Sequence, residues 1–217
     1  MNKELIIRSG ENAVDFALLK DGKLIELHKE EEKKSGDFIV GDVFIAKIRK
    51  PVAGLNAAFV NVGFEKDAFL HYHDLGPNLT SYLKFIKLVS AGKIKDYSLK
   101  NFPFEPEIDK DGSITDVLSA NQSVLVQVVK EPISTKGPRM SSELSFAGRY
   151  LVLVPFSDRV SVSQKIESRE EKDRLKKLVQ AVKPKGFGVI VRTVAEGKSV
   201  TDLEKDLQSL LNRWTAM

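Results

Sequence analysis

Two phenylalanines, Phe59 and Phe69, have the residue type and spacing to bind a flat ligand. They lie in the stretches Gly54-Leu-Asn-Ala-Ala-Phe-Val-Asn-Val-Gly63 and Ala68-Phe-Leu-His71, which predict two neighbouring strands. On the exposed face of a β-barrel, aromatic rings on adjacent strands form a surface on which unpaired bases stack. Three lysines are candidates for contacts with the phosphates of such a ligand: Lys47, Lys130 and Lys136. The same pattern allows both rings to fill the barrel interior, and the residues alone leave the two interpretations open.

The pair Arg192-Thr193 directly follows the apolar segment Gly188 to Val191. From the residues alone, the favoured interpretation of this pair is an exposed strand end with a surface salt bridge.

Other kinds of site receive little support. His71 and His73 would share one face of a strand, but a metal site needs a third ligand and no convincing partner is evident. The sequence has no cysteine, which excludes disulfides and thiolate metal sites. There is no Gly-x-Ser-x-Gly nucleophile pattern and no dinucleotide-binding fingerprint after a strand.

Length and composition are those of a soluble globular protein. The 217 residues are 42% hydrophobic and 29% charged, and this length allows one or two domains with a hydrophobic core. The net charge of +4 is a mild bias toward polyanions, with the basic excess lying after residue 38. No apolar run approaches the roughly 18–20 residues that span a bilayer, and the start of the chain has no signal-peptide pattern. A reducing cytoplasm fits best, and we expect a cytoplasmic location.

The elements that would position these residues fall into three blocks. Residues 4–29 predict a small antiparallel sheet with a hairpin turn at Asp21-Gly22, followed by a charged linker from Glu30 to Asp37. The second block consists of consecutive strands. Residues 76–112 interrupt it as an insertion that contains a helix around Tyr82 to Val89.

The third block alternates strands with two helices. Ser168-Arg-Glu-Glu171 predicts a capping box, in which the serine accepts from a backbone amide and Glu171 reaches back to the serine amide. Thr201-Asp-Leu-Glu204 predicts that the last helix starts in the same way. The apolar stripe of that helix predicts core packing: Leu203, Leu207, Leu210, Leu211 and Trp214.

The order of these motifs resembles a known family. Gly41-Asp-Val, Ala57-Ala-Phe-Val and Phe69-Leu-His resemble an S1-type RNA-binding OB fold. The continuation Ser145-Phe-Ala-Gly-Arg-Tyr-Leu-Val-Leu153, Gly188-Val-Ile-Val-Arg-Thr193 and Gly197-Lys-Ser199 resembles the amino-terminal region of the RNase E/G family of endoribonucleases. The likeness covers essentially the whole chain, and its motifs are specific only in combination.

The resemblance implies a mixed α and β fold. An S1-type OB β-barrel would be inserted after a small RNase H-like β-sheet segment and followed by an α/β 5′-sensor segment. The implied domains are residues 1–38, 39–142 with the insertion at about 76–112, and 143–217. Phe59 and Phe69 match the family's RNA-stacking aromatics, while Lys130 and Lys136 match family basic residues. The residues that match the pocket for a 5′-monophosphate end of RNA are Gly148, Val152, Arg192 and Thr193. A guanidinium group and a hydroxyl can together hold the oxygens of a terminal phosphate.

The sequence also departs from the family pattern. Val62 stands where some members carry an aromatic, so the stacking surface would be smaller, and the insertion is longer than the matching loop. The family's magnesium-binding aspartates and zinc-binding Cys-x-x-Cys pair lie beyond the stretch represented here. We therefore assign no residue of this chain a catalytic role and no cofactor, although magnesium and zinc are implied for the full-length family member.

Three hypotheses follow for the function. The leading one is the RNA-binding and 5′-monophosphate-sensing part of an RNase E/G-type endoribonuclease, inactive alone, acting on single-stranded rRNA precursors and mRNA. The resemblance implies that the full-length protein forms a homo-oligomer. The alternatives are a non-catalytic single-stranded RNA-binding regulator with an OB fold and a structural module with buried aromatics.

Overall fold

A computed structural model of the chain describes residues 2–31 and 38–217. The chain forms two compact units, Met1–Asp37 and Phe38–Met217. In the first unit, β1 (Lys3–Ser9), β2 (Ala13–Lys20) and β3 (Lys23–Glu31) form an antiparallel sheet in the order β1-β2-β3. Asp21 and Gly22 both have positive φ, as a tight hairpin turn requires, and the prediction of this sheet and turn is confirmed. Residues 32–37 of the predicted linker lie outside the described residues.

The second unit begins with a closed five-stranded barrel. Its strands are β4 (Val43–Val52), β5 (Ala57–Asn61), β6 (Ala68–His71), β7 (Ser123–Lys130) and β8 (Arg139–Ser141). They are ordered β4-β5-β6-β8-β7, with β7 pairing back onto β4, and only the β6–β8 pair is parallel. The barrel interior is filled by buried side chains, as is usual for a small barrel. They are Ala46, Ile48, Ala58, Val60, Ala68, Leu70, Val126 and Met140.

The insertion predicted at 76–112 contributes to two hydrophobic cores. It contains α1 (Leu79–Ser90), and α2 (Ile114–Val117) follows it. Leu79 packs into the barrel core, whereas Phe85 and Ile86 pack into the core of the segment that follows the barrel. The helical spacing around Tyr82 predicts α1 correctly because its apolar stripe lies against both cores.

The rest of the unit is an α/β layer. Its strands β9 (Phe146–Ala147), β10 (Leu151–Pro155), β11 (Val160–Val162) and β12 (Phe187–Val191) form a sheet in the order β11-β12-β10-β9. β11 and β12 are parallel and are connected through α3 (Arg169–Val182), while α4 (Val200–Thr215) follows β12. The predicted apolar stripe of α4 is buried at Leu203, Leu207, Leu210 and Trp214.

The two predicted helix starts differ from the structure. Ser168 accepts from the Glu171 amide at 3.2 Å as predicted, but the Glu171 carboxylate binds Arg174 at 2.6 and 2.7 Å and accepts from the Gly197 amide at 2.8 Å. These hydrogen bonds lower the pKa of Glu171 to about 2. The prediction that Thr201 starts the last helix is wrong. α4 begins at Val200 behind Ser199, because Ser199 and Asp202 form the reciprocal capping box two residues earlier.

Among the helices that the structure describes, none combines the length and the apolar character needed to cross a membrane.

Candidate functional site

Phe59 and Phe69 lie on the outside of the barrel. In β5, Ala58 and Val60 are fully buried while Phe59 between them is 37% exposed. In β6, Ala68 and Leu70 are buried while Phe69 is half-buried. The two phenylalanines are cross-strand partners, with ring centroids 6.0 Å apart. The interpretation in which these rings fill the barrel interior is therefore wrong.

Phe59 and Phe69 belong to a row of cross-strand partners that includes one large side chain from each of the five barrel strands. Lys50 on β4 pairs with Phe59, Phe69 pairs with Arg139 on β8, and Arg139 pairs with Lys130 on β7. Directly paired residues share one face of a sheet, so the two rings lie between basic residues. We call this set the barrel row: Lys50, Phe59, Phe69, Arg139 and Lys130.

The three lysines predicted from the sequence occupy different places. Lys130 is a member of the barrel row. Lys47 pairs with Asn61 and is two pairing steps removed from the row, beyond a bulge in β4. Lys136 lies in the connection between β7 and β8, where it forms an isolated bridge with Ile133. The structure therefore places Lys130 in the barrel row one strand beyond Arg139, Lys47 two pairing steps from the row, and Lys136 in a loop.

Two basic residues of the barrel row, Lys50 and Arg139, were missed by the sequence analysis. Arg139 donates from Nε and Nη2 to the Asp74 carboxylate at 2.9 and 3.0 Å. These hydrogen bonds and the nearby charge raise the pKa of Arg139 and hold its guanidinium in one orientation. Lys50 could have been found from the sequence only by allowing for the bulge between Ile48 and Lys50, which changes the register by one residue.

The second site is built on the tight turn between β9 and β10. The Asp206 carboxylate of α4 accepts three backbone hydrogen bonds from this turn, from the amides of Arg149 at 3.0 Å, Tyr150 at 2.8 Å and Leu151 at 2.9 Å. A Cβ atom at Gly148 would lie only 2.6 Å from an Asp206 oxygen, so a larger residue there would force the Asp206 carboxylate to shift. The turn is thereby fastened to α4.

The β9–β10 turn also orients Arg192. Its Nη1 atom donates to the Gly148 carbonyl at 2.6 Å and to the Arg149 carbonyl at 3.4 Å, and its amide donates to the Tyr150 carbonyl at 2.8 Å. The guanidinium has five N–H donors, so Nε and Nη2 remain to bind an anion while Nη1 holds the group in place. Arg192 itself is exposed to solvent.

Thr193 and Val152 complete the set predicted from the sequence. The Thr193 hydroxyl lies 3.0 Å from that of Ser163, which follows β11 and was not identified from the sequence. Val152 on β10 pairs with Ile190 and is half-buried, next to the 41%-exposed Ile190. The structure thus brings Gly148, Arg192 and Thr193 to one end of the sheet, with Val152 on the adjoining strand.

The described residues do not fit a metal ion. Across residues 2–31 and 38–217 there is no group of three His, Asp or Glu side chains arranged to hold one. His71 and His73 lie side by side, with ring centroids 5.1 Å apart, but no such group includes them.

A closed five-stranded barrel of the OB type followed by an α/β layer defines the architectural class of this protein. Residues 145–217 match the model of the Ribonuclease E/G family. The chain is 35% identical over 211 residues to ribonuclease G of Haemophilus influenzae, covering 97% of this chain and 39% of that protein. It is 33% identical over 215 residues to ribonuclease G of Escherichia coli K12, covering 99% of this chain and 40% of that protein.

Ribonuclease E of Nostoc is also similar, with 36% identity over 184 residues, 84% of this chain and 23% of that protein. The chain belongs to the RNase E/G family. It spans about 40% of the length of the ribonuclease G relatives that it matches.

Proposed function

We propose that this chain binds single-stranded RNA on its barrel and recognises a 5′-monophosphate end at Arg192 and Thr193. The observation that carries the proposal is the outward position of Phe59 and Phe69 between Lys50 and Arg139. Apolar rings flanked by cations suit a ligand with flat bases and a charged backbone, since the bases stack while the cations attract phosphates. The names of its relatives, ribonucleases G and E, support RNA as the nucleic acid.

The family resemblance implies the 5′-monophosphate as a ligand, and the geometry around Arg192 supports it. Nη1 is bound to two carbonyls of the turn, which leaves a rigid edge of the guanidinium for a terminal phosphate. The hydroxyls of Thr193 and Ser163 are 3.0 Å apart and add groups that can donate to phosphate oxygens. Val152 supplies apolar surface against which a first nucleotide could pack.

Ribonuclease activity in RNA processing and decay is proposed for a family member of the relatives' full length. Residues 1–217 are proposed to contribute RNA capture and 5′-end recognition to that activity. Cleavage is assigned to none of the residues described here.

The test is fluorescence anisotropy of a short single-stranded RNA labelled at its 3′ end, carrying either a 5′-monophosphate or a 5′-hydroxyl. Phe59→Ala should weaken both RNAs by about fivefold or more, because one stacked base is lost. Leu55→Ala is its matched control, since Leu55 is 54% exposed and lies outside the barrel row.

Arg192→Ala should remove the preference for the monophosphate and leave the 5′-hydroxyl RNA nearly unaffected. Arg169→Ala, which removes an equal charge from the exposed start of α3, should preserve the preference. Equal binding of both RNAs by wild type would refute the 5′-end assignment. An unchanged affinity in Phe59→Ala would refute the barrel assignment.

A further inference from the structure

The insertion between β6 and β7 carries a concentration of positive charge. Residues 79–103 contain five lysines and one aspartate, so their net charge of +4 equals that of the whole chain. The lysines are Lys84, Lys87, Lys93, Lys95 and Lys100. A run of charge is by itself typical of a solvated surface, so it indicates a binding site only where the structure also forms a cavity beside it.

The end of α1 creates such a cavity. Gly92 follows the helix with a φ of +68°, and the Lys93 amide donates to the Leu88 carbonyl at 2.9 Å. A left-handed glycine with this reverse hydrogen bond ends a helix and redirects the chain. Residues 93–103 then lie beside the last turns of α1 and leave a cleft of about 350 Å³ between the two segments. Three of the lysines line this cleft: Lys93, Lys95 and Lys100.

The wall of the cleft is apolar. Leu88 and Ile94 are half-buried and Leu99 is buried. Phe102 lines the same cleft and is also half-buried. Its ring meets that of Phe85 edge-on, with centroids 5.7 Å apart and planes inclined by 79°, so packing restricts its orientation. A ring held in this way can stack a base at a lower cost in conformational entropy.

The three cleft lysines are available to bind an anion. All of them are exposed, and none forms an ion pair with the residues that the structure describes. Lys84 differs, because its Nζ is bound to the Glu105 carboxylate and to the Pro103 carbonyl at 3.2 Å. Asp96 also lines the cleft, but its carboxylate accepts from the Ser98 amide at 2.9 Å and from the Ser98 hydroxyl at 2.8 Å. Three lysines outnumber this single carboxylate, so the cleft attracts anions.

We propose that this cleft is a third RNA-binding site, distinct from the barrel row and from the Arg192 site. Phe102 stacks one base of a single strand. Lys93, Lys95 and Lys100 bind the phosphates next to that base. An acidic peptide would match the charge of the cleft, but the combination of an oriented ring with lysines suits a nucleotide.

This inference rests on the proposed function, because RNA is taken as the ligand. The insertion packs against both the barrel core and the α/β core, so the cleft belongs to the same compact unit as the other two sites. A strand held at either of them is therefore present at the cleft at a high effective concentration. The lysines add to the affinity for a long strand even where they bind a short one weakly.

The experiment measures the affinity of the whole chain for a 3′-labelled single-stranded RNA with a 5′-hydroxyl, by anisotropy at several salt concentrations. The cleft variant is Lys93→Gln/Lys95→Gln/Lys100→Gln. On a single strand, each phosphate contact contributes roughly 0.7 to the slope of log affinity against log salt concentration, so the slope should become shallower by about 2. The affinity at low salt should fall by about tenfold or more.

Two further variants separate charge from stacking. Lys23→Gln/Lys176→Gln/Lys177→Gln is the matched control, which removes the same charge from exposed positions of β3 and α3 and should keep the wild-type slope. Phe102→Leu keeps an apolar side chain but removes the ring, and it should weaken binding by about fivefold without changing the slope. Binding of labelled polyglutamate to wild type and to the cleft variant is measured in parallel.

The outcomes distinguish this inference from the proposed function. A cleft variant with wild-type affinity and slope would overturn the inference, while weaker binding by Phe59→Ala would preserve the proposed function. Polyglutamate binding that the cleft variant loses, without any loss of RNA affinity, would assign the cleft to an acidic protein segment and would also overturn it. If Phe59→Ala has no effect but the cleft variant has a shallower slope, the barrel assignment fails and the cleft remains an RNA site. Circular dichroism checks folding, and the lysine substitutions, which alter only exposed side chains, decide the test if Phe102→Leu is unfolded.

Discussion

Replacing Asp206 with alanine would remove the carboxylate that fastens the β9–β10 turn to α4. Three backbone amides, those of Arg149, Tyr150 and Leu151, would lose their acceptor. Hydrogen bonds to a charged group contribute roughly 1.5–3 kcal/mol each, but the Arg149 amide is exposed and water can replace part of what is lost. We therefore expect the free energy of unfolding to fall by about 2–4 kcal/mol.

The same substitution should act on Arg192. The carbonyls of the turn bind its guanidinium and its amide, so a turn released from α4 no longer fixes the direction of the side chain. We expect Asp206→Ala to reduce the preference for a 5′-monophosphate RNA while leaving binding of a 5′-hydroxyl RNA to the barrel nearly unchanged.

Stability is measured by urea unfolding followed through Trp214, the single tryptophan of the chain, which lies on α4 itself. Glu204→Ala is the matched control, because Glu204 is an exposed acidic residue of the same helix and its loss should cost no more than about 0.5 kcal/mol. Asp206→Asn should fall between wild type and alanine, because the amide offers one acceptor atom where both carboxylate oxygens are used. An Asp206→Ala variant as stable as the control would refute the reasoning.

Three further predictions concern other contacts. Gly148→Ala should lower the free energy of unfolding in urea by about 1–3 kcal/mol, because the new Cβ would lie 2.6 Å from an Asp206 oxygen. The loss should be smaller when Asp206 is also replaced by alanine, and an equal or larger loss in that background would contradict this cause. Phe85→Ala should cost about 3–5 kcal/mol, because this buried ring packs 5.3 Å from Phe156 and 5.8 Å from Trp214; Phe104→Ala, at a 39%-exposed ring, should cost much less. For Glu171, the folded-state pKa of about 2 lies below the ordinary value of 4.5, so its stabilisation is present above pH 4.5 and is lost as the pH falls through 2. The urea midpoint of wild type should thus exceed that of Glu171→Gln at pH 6, and the difference should shrink toward pH 2; a difference that does not depend on pH would contradict the assignment.

Much of the fold was predictable because its signals are local. The Asp21-Gly22 turn and the apolar spacing of α1 each depend on neighbouring residues, and the structure places both where the sequence predicts them. The sequence did not predict whether Phe59 faces the interior or the outer surface of the barrel. Ala57, Ala58 and Val60 are all apolar, so the alternation within β5 does not distinguish the inner face from the outer one.

The candidate sites were predictable only in part. Arg192 and Thr193 are adjacent in sequence, and the family resemblance drew attention to them. Asp206 and Ser163 could not be found, because each reaches its partner through tertiary contacts between residues far apart in the chain. Asp206 lies beside the apolar stripe of α4, so its sequence position predicts a solvated side chain. Its role becomes evident only from the packing of α4 on β10.

The insertion that contains α1 has a consequence for how the two candidate sites work together. Tyr97 in this insertion accepts from the Trp214 indole at 2.7 Å, and Leu79 and Phe85 of α1 enter the barrel core and the α/β core respectively. One helix therefore packs against both cores, which fixes the distance between the barrel surface and the Arg192 site. With both sites occupied as proposed, the protein would select RNA by the length of its single-stranded 5′ segment. One strand engages both sites only when enough unpaired nucleotides separate its phosphorylated end from the bases that stack.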